Sequence, residues 1–209
     1  MGVLLAGGQS RRFGGRPKGL AQVEGVRIAD RVLAALGLAT SRQLVVANDP
    51  HAATWFPGRL VVPDAVPGLG PLAGLASAIA AGAGSAVLVV AWDMPFITAA
   101  LLRALRGHGE RHAVSCAPVH GAGGTIEPLC AYYRPGAGDV ARALLDAGER
   151  RAHALFDALS LQAGALPLPA GELARHGDVR RLFRSVDSAT DLAELAELAG
   201  DGPERTTPG

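Results

Sequence analysis

Three observations predict an α/β fold with a mainly parallel sheet flanked by helices on both faces. Short apolar runs typical of buried strands recur along the chain, and segments with apolar residues at helical spacing separate most of them. The length of 209 residues suits one domain. Alternating strands and helices favour parallel pairing through right-handed crossovers. We predict a single domain over residues 1–199 and a disordered C-terminal tail over 200–209.

Six apolar runs are the predicted strands. They occupy residues 2–6, 43–47, 60–62, 86–92, 112–117 and 129–133. Most are rich in Val, Leu and Ala and only a few residues long, as buried strands are. Residues 161–168 fit either a connector or a strand, and residues 184–186 fit a further short strand.

The predicted helices connect these strands. They cover residues 27–38, 71–81, 98–106, 136–145 and 151–159. Pro71 suits a first helical turn, where its missing N–H is no loss, and the Thr98 hydroxyl can cap the next helix. Ser188 followed by Asp191 predicts the start of a last helix that runs to residue 198.

Composition excludes several classes of protein. The net charge of +1 provides no basic field for a nucleic-acid partner. Residues 65–92 carry no charge, but proline and glycine divide them into short pieces, so we predict no membrane span. Because the sequence has no secretory start, we expect a cytoplasmic protein in which Cys116 and Cys130 are reduced. A disulfide between them is the alternative. We also expect a monomer.

A glycine-rich loop with four cations follows the first predicted strand. It reads Leu5-Ala-Gly-Gly-Gln-Ser-Arg-Arg-Phe-Gly-Gly-Arg-Pro-Lys18, and Lys18 is the only lysine in the chain. Exposed backbone amides and cations without a neighbouring acid suit phosphate oxygens, and a compact ammonium fits a crowded polyphosphate site. The loop matches neither the Walker A nor the Gly-x-Gly-x-x-Gly pattern. A surface turn with solvated arginines is the disfavoured alternative.

This loop closely resembles the nucleotide-binding loop of the nucleotidyltransferases that build the dinucleotide form of the molybdenum cofactor. The pair Gly7 and Gly8 is similar to the guanylyltransferase branch, whereas cytidylyltransferase relatives typically read Leu-Ala-Ala-Gly. The resemblance extends to about residue 195 and implies a Rossmann-like nucleotidyltransferase fold. The nucleotide-binding residues that it implies are Leu5, Ala6, Gly7, Gly8, Ser10, Gly14, Lys18, Asp64 and Asp93.

Three aspartates follow apolar runs, at the edge where open α/β sheets bind ligands. Asp93 begins Asp-Met-Pro-Phe, which matches the family element whose aspartate holds a metal, so the resemblance implies Mg²⁺, or Mn²⁺, at Asp93. Asp187 is a second candidate metal ligand. Asp64 precedes a Gly-Pro-Leu-Ala-Gly element and matches a nucleotide-contacting aspartate, which accepts N–H groups of guanine or contacts the ribose.

The resemblance also implies a site for the pterin substrate. Residues 147–151, Ala-Gly-Glu-Arg-Arg, match a family segment near the pterin site. Two departures affect the expected contacts: a family asparagine falls at Ala47, with Asn48 one position later, and Ser185 replaces another asparagine. The pterin-binding residues that it implies are Gly70, Pro71, Gly74, Arg150, Arg151 and Asp187.

A competing zinc site is disfavoured. His108, His112 and Cys116 recur every four residues, as three ligands on one helix would. We expect Gly107 and Gly109 to break that helix and Cys116 to lie in a strand, so the three side chains would not line up.

The implied reaction is transfer of GMP from GTP to the terminal phosphate of molybdopterin, with or without bound molybdenum. Lys18, Arg12 and Asp93 are the implied catalytic residues, and molybdenum insertase and apo-molybdoenzymes are the implied protein partners. A cytidylyltransferase for the same pterin and a sugar-phosphate nucleotidyltransferase are alternatives. A noncatalytic nucleotide-binding or cofactor-carrier module is a third.

Overall fold

A computed structural model of the chain describes residues 1–7, 17–65, 67–186, 188, 190–192 and 194. The strands within these ranges are β1 (Gly2–Leu5), β2 (Gln22–Val23), β3 (Val26–Arg27), β4 (Gln43–Val46), β5 (Val61–Val62), β6 (Val87–Ala91), β7 (Ser115–His120), β8 (Thr125–Ile126), β9 (Cys130–Tyr133) and β10 (Ala165–Leu168). The α-helices are α1 (Ile28–Ala39), α2 (Ala52–Trp55), α3 (Pro71–Ala80), α4 (Ala99–His112), α5 (Ala137–Asp146), α6 (His153–Leu161), α7 (Ala170–Leu173) and α8 (Val179–Leu182).

The main sheet has the strand order β10-β7-β9-β6-β1-β4-β5, with β8 paired to β7. Strand β1 pairs in parallel with both β4 and β6, and β5 pairs in parallel with β4. Strand β9 is antiparallel to β6 and to β7. The prediction of a mainly parallel sheet is therefore confirmed, and the carboxyl ends of β5, β4, β1 and β6 lie at one edge.

Helices cover both faces of this sheet. Successive side chains of a strand point to opposite faces, and the apolar side chains on each face are buried against helices. Leu4 of β1 packs in one core cluster with residues of α1 and α4. Its neighbours Val3 and Leu5 pack in a second cluster, with residues of α3 and α6. Each fully buried leucine of this kind contributes about 1.5–3 kcal/mol relative to an exposed one. The predicted arrangement of helices on both faces is confirmed.

Helix α4 overturns one expectation, because it continues through both glycines to His112. The predicted strand at 112–117 accordingly begins only at Ser115. Gly109 is buried, and a Cβ there would lie 2.3 Å from Cδ1 of Tyr132 in β9. Glycine is required at this position because helix and sheet approach so closely, and this packing outweighs the low helix propensity of glycine.

Of the two arguments against a zinc row, the break of the helix at Gly107 and Gly109 is wrong, and the position of Cys116 in a strand is confirmed. His108 and His112 share α4, with ring centroids 4.7 Å apart, whereas Cys116 is buried in β7. Among the described residues, no group of three or more metal-type ligands occurs. Cys116 and Cys130 are both free and buried, and burial raises the pKa of Cys116 to about 12.

Two smaller strand predictions differ from the structure, and one open choice is settled. Residues 184–186 form no strand; the Val186 N–H instead donates to the Asp93 carbonyl at 3.0 Å. The open choice at 161–168 is settled as β10, and the strand predicted at 60–62 shortens to Val61–Val62. The sequence scan also missed the β2–β3 hairpin.

The predicted helix starts at Pro71, Thr98 and Ser188 are confirmed, whereas the predicted end of the last helix at residue 198 lies outside the described residues. The Thr98 hydroxyl accepts a hydrogen bond from the Leu101 N–H, and Pro71 begins α3. Ser188 and Asp191 form a capping box, with reciprocal hydrogen bonds of 2.8 and 3.1 Å. The uncharged stretch 65–92 divides into a loop, α3 and β6, and no described helix is long and apolar enough to cross a bilayer. The predicted tail at 200–209 lies outside the described residues.

We expect Gly109→Ala to lower the free energy of unfolding by about 1–3 kcal/mol, because the added methyl overlaps the Tyr132 ring. Gly107→Ala in the same helix is the matched control, since a Cβ there meets only the end of the Arg111 side chain at 3.4 Å. It should stabilise the protein by up to about 1 kcal/mol. Urea denaturation measures both, and equal effects would contradict the packing argument.

Candidate active site

A pocket of about 840 Å³ opens at the carboxyl edge of the sheet, where β4 and β6 flank β1. Open α/β sheets bind ligands at such a point, because the loops on either side diverge and leave a crevice. The volume is that of a typical small-molecule site. Residues following four strand ends contribute to its lining, among them Ala6, Gly7, Asn48, Asp64, Trp92 and Asp93.

A largely buried ion pair between Lys18 and Asp93 lies in this pocket. Lys18 begins a short 3₁₀ helix (Lys18–Leu20), and Asp93 follows β6. Lys18 Nζ lies 2.5 Å from Asp93 Oδ2, and each side chain is 14% exposed. Two of the three residues predicted to be catalytic are thus in contact, although 75 positions separate them along the chain.

The second carboxylate oxygen of Asp93 accepts no hydrogen bond within the part of the chain that the structure describes. Oδ1 is buried, and no group of the described residues donates to it. A buried acceptor of this kind is costly unless something else satisfies it, and carboxylate oxygens are preferred ligands of Mg²⁺. Among the described residues, Asp93 is therefore the side chain best placed to receive a cation.

The end of β1 presents backbone to the pocket. The Ala6 N–H donates to the Val46 carbonyl, and the Leu5 carbonyl accepts from the Trp92 N–H, so neighbouring strands hold this turn from both sides. Gly7 is exposed and faces open space, with no atom within 4 Å of a Cβ built on it. Leu5, Ala6 and Gly7 all line the pocket. The other loop residues predicted to act here, Gly8, Ser10, Arg12 and Gly14, lie outside the described residues.

Asp64 is held by Asn48 through two hydrogen bonds. Asn48 Nδ2 donates to Asp64 Oδ2 at 2.7 Å, and the Asp64 N–H donates to Asn48 Oδ1 at 2.8 Å. Gly74 of α3 lies close by, where a Cβ would come within 3.6 Å of Asp64 Oδ1. Asn48 therefore lines the pocket despite the departure noted at Ala47. Its position just after β4 was the available signal for it.

The residues predicted for the pterin are only partly brought together. Gly70, Pro71 and Gly74 line the pocket, and Gly70 has a φ of 82° that favours glycine. The Arg150 backbone reaches the same place, because its carbonyl accepts from the Leu72 N–H at 3.1 Å. Asp187 lies outside the described residues.

The guanidinium groups of the two arginines point to partners of their own. Arg150 donates to the carbonyls of Leu145 and Glu149. Arg151 pairs with the Glu149 carboxylate at 2.6 Å, and its hydrogen bonds, with those from the backbone, lower the pKa of Glu149 to about 2. Neither arginine contributes to the pocket lining.

Sequence reasoning missed an aromatic pair in the pocket. Trp55 and Trp92, the chain's two tryptophans, stack with ring centroids 6.0 Å apart and an interplanar angle of 23°. Both line the pocket. Trp55 ends α2, a single turn that leaves no helical periodicity in the sequence, so no pattern pointed to it.

Comparison with known proteins identifies the family. Residues 2–163 match the family described as MobA-like NTP transferase domain. The chain belongs to this family. It is therefore a nucleotidyltransferase, as the loop and the Asp93 element predicted, and a noncatalytic module on the same fold is not favoured.

Relatives of this MobA-like protein agree with the assignment. It is 39% identical over 163 residues to a probable molybdenum cofactor guanylyltransferase of Chloroflexus aggregans, covering 76% of each chain. It is 33% identical to a molybdenum cofactor guanylyltransferase of Mesorhizobium japonicum, covering 94% of each. A crystal structure of molybdopterin-guanine dinucleotide biosynthesis protein A from Archaeoglobus fulgidus has the same fold, with a TM-score of 0.77, 24% identity, and coverage of 97% of this chain and 100% of that one.

We expect Lys18→Ala to lower turnover by roughly 100-fold or more, because it removes a positive charge from the lining of the pocket. Lys18→Arg should lose activity as well, since a planar guanidinium does not fit where Nζ lies 2.5 Å from Asp93 Oδ2. Pyrophosphate release measures both variants. Arg42→Ala is the control, because Arg42 is an exposed cation just before β4, at the opposite edge of the sheet. Normal turnover by Lys18→Arg would mean that only the charge matters.

Proposed function

We propose that this protein transfers GMP from GTP to the terminal phosphate of molybdopterin, or of its molybdenum-bound form, in the cytoplasm. The products are the guanine dinucleotide form of the cofactor and pyrophosphate. The observation that carries this proposal is the Lys18–Asp93 pair, which lies in the same pocket as the Asn48–Asp64 pair. The names of the relatives supply the choice of pterin and of guanine.

Lys18 is the described cation that we assign to the triphosphate. Its ammonium is largely buried in the pocket wall, and low exposure to water strengthens its attraction for phosphate oxygens. The backbone of Leu5, Ala6 and Gly7 lies beside the same space and accepts close approach of a nucleotide. Arg12, in the adjoining loop outside the described residues, is proposed as a second triphosphate ligand.

Asp93 is the residue that we assign to Mg²⁺, with Mn²⁺ as the alternative cation. Its Oδ1 fits this role because it is buried and has no partner among the described residues. When bound, the cation supplies positive charge to the triphosphate. Asp93 Oδ2 meanwhile holds Lys18, so one carboxylate would organise both charges. Asp187 remains a proposed second ligand.

Asp64 is proposed to recognise guanine. Asn48 binds one of its oxygens, which fixes the carboxylate in orientation, and the other oxygen has no such bond from Asn48. A fixed carboxylate accepts the N1–H and N2–H of guanine, and a base without those donors leaves the acceptor unpaired. This arrangement favours GTP over CTP.

The chemistry requires positioning and charge stabilisation. An oxygen of the acceptor phosphate forms the new bond to the α-phosphorus, and the bond from that phosphorus to the bridging oxygen breaks, so its electrons leave with pyrophosphate. The nucleophile is already anionic, which makes a general base unnecessary. Lys18 then stabilises negative charge that develops on the leaving group.

Acceptor binding is assigned to the other side of the pocket. Gly70 and Pro71 line it where the Arg150 backbone meets α3, and Arg151 stands nearby along the chain with an 80% exposed side chain. We propose that Arg151 exchanges its Glu149 partner for the pterin phosphate. Release to a molybdenum insertase or an apo-molybdoenzyme would follow product formation.

The deciding experiment measures pyrophosphate release with molybdopterin and Mg²⁺ and with GTP, CTP or ATP supplied separately. We expect turnover with GTP and little with the other two, because only guanine satisfies Asp64. Preference for CTP would overturn the choice of nucleotide. Turnover with a sugar 1-phosphate in place of molybdopterin would overturn the choice of acceptor.

The role of Asp64 has a separate test. Asp64→Asn should lower kcat/KM for GTP by roughly 10- to 100-fold, because hydrogen bonds to a charged acceptor are lost. The loss should be smaller for ITP, which lacks the 2-amino group. Asp49→Asn is the control, since Asp49 also lines the pocket but its carboxylate accepts from the His51 N–H. Equal losses for GTP and ITP would place Asp64 on the ribose.

A further inference from the structure

Gly19 lies directly on the indole ring of Trp92. A Cβ built on Gly19 would stand 2.3 Å from Cε3 and 2.4 Å from Cδ2 of that ring, closer than any side chain permits. Gly19 does not have a positive φ, so its backbone conformation is open to other residues. The requirement for glycine is therefore the approach to the ring alone.

Both partners of this contact adjoin the Lys18–Asp93 pair. Gly19 follows Lys18 within the Lys18–Leu20 turn, and Trp92 precedes Asp93. The turn closes with hydrogen bonds from Leu20 N–H to the Pro17 carbonyl and from Ala21 N–H to the Lys18 carbonyl. A shift of Gly19 away from the ring would thus carry Lys18 with it.

Trp92 is a fixed surface. It is 3% exposed, and its backbone N–H donates to the Leu5 carbonyl at 3.0 Å. Trp55 stacks on its ring, and the carbonyl of Trp55 accepts from Arg27 at the start of α1. The ring atoms nearest to a Cβ on Gly19 are Cε3, Cδ2 and Cγ, so the contact is made by ring carbons and not by the indole N–H.

We propose that Trp92 is a positioning residue, whose indole ring sets the distance between Lys18 Nζ and Asp93 through its contact with Gly19. The proposal rests on the role given above to Lys18. Displacement of a reacting group by about 1 Å can lower a rate by about 100-fold. A contact that fixes the position of Lys18 Nζ relative to Asp93 should therefore affect turnover. Glycine after the lysine is then a requirement of the active site.

The test uses a readout that needs no substrate. Lys18 is the only lysine, so isotopically labelled lysine gives a single side-chain signal in NMR spectra. Asp93→Asn establishes how that signal changes when the ion pair is broken. Gly19→Ala should move the signal in the same direction and lower kcat by on the order of 10-fold or more.

Gly109→Ala is the matched control, because its added methyl also meets an aromatic ring at 2.3 Å, but in the interface of α4 and β9. We expect it to lower stability and to leave the lysine signal and the kcat of the folded protein unchanged. An unmoved signal in Gly19→Ala would overturn the proposal. So would an equal movement in Gly109→Ala, since destabilisation alone would then explain the effect.

A double-mutant cycle separates steric fit from general damage. Trp92→Phe withdraws the Cε3 edge of the ring without adding an atom, so by itself it should loosen Lys18 and move the signal. In combination, the methyl from Gly19→Ala fills the released space, and the double variant should have a higher kcat than Gly19→Ala. Additive losses would contradict the role of the contact between Gly19 and Trp92.

Trp92→Phe alone carries the test if Gly19→Ala does not fold, and an unmoved lysine signal would then overturn the proposal. The same measurements distinguish this idea from the proposed substrates. If unsubstituted protein binds nucleotide but shows no turnover with GTP and molybdopterin, the proposed function fails. The lysine signal still reports whether Trp92 positions Lys18.

Discussion

Strand β1 pairs with β4 along one edge and with β6 along the other. The carboxyl ends of these three parallel strands therefore lie side by side, next to residues 5–7. Its side chains are buried on both faces of the sheet, which leaves no room for polar groups until the strand ends. Asn48 and Asp93 consequently follow the two neighbouring strands at the same level. The pocket lies where it does because β1 is placed between β4 and β6 in the sheet.

The Lys18–Asp93 pair is better suited to chemistry than to stability. Removing both charges from water costs several kcal/mol per ion before their attraction offsets it, and Asp93 Oδ1 remains without a donor among the described residues. Buried polar atoms without a hydrogen-bond partner are concentrated at functional sites. In the proposed function, the triphosphate of the nucleotide would give the exposed part of Lys18 an anionic partner.

Short sequence patterns predicted the features that depend only on residues close together in the chain. The continuous apolar runs of β1, β4 and β6 marked buried parallel strands, and the glycine-rich loop with Lys18 and the Asp93 element indicated nucleotide chemistry. Prediction went wrong where a distant contact outweighed a local preference. Gly109 costs about 1 kcal/mol in a helix relative to alanine, yet close packing against Tyr132 keeps α4 intact.

The sequence by itself determined most strands of the main sheet, the longer helices between them, the nucleotidyltransferase class, and two aspartates, Asp64 and Asp93, that follow strand ends. Only the tertiary structure decided which groups meet: Lys18 with Asp93, Asn48 with Asp64, and Gly19 with the indole ring of Trp92. The reason is physical. Strand order in the sheet sets which chain ends are adjacent, and that order follows from burying apolar faces across the whole molecule, which no short pattern encodes.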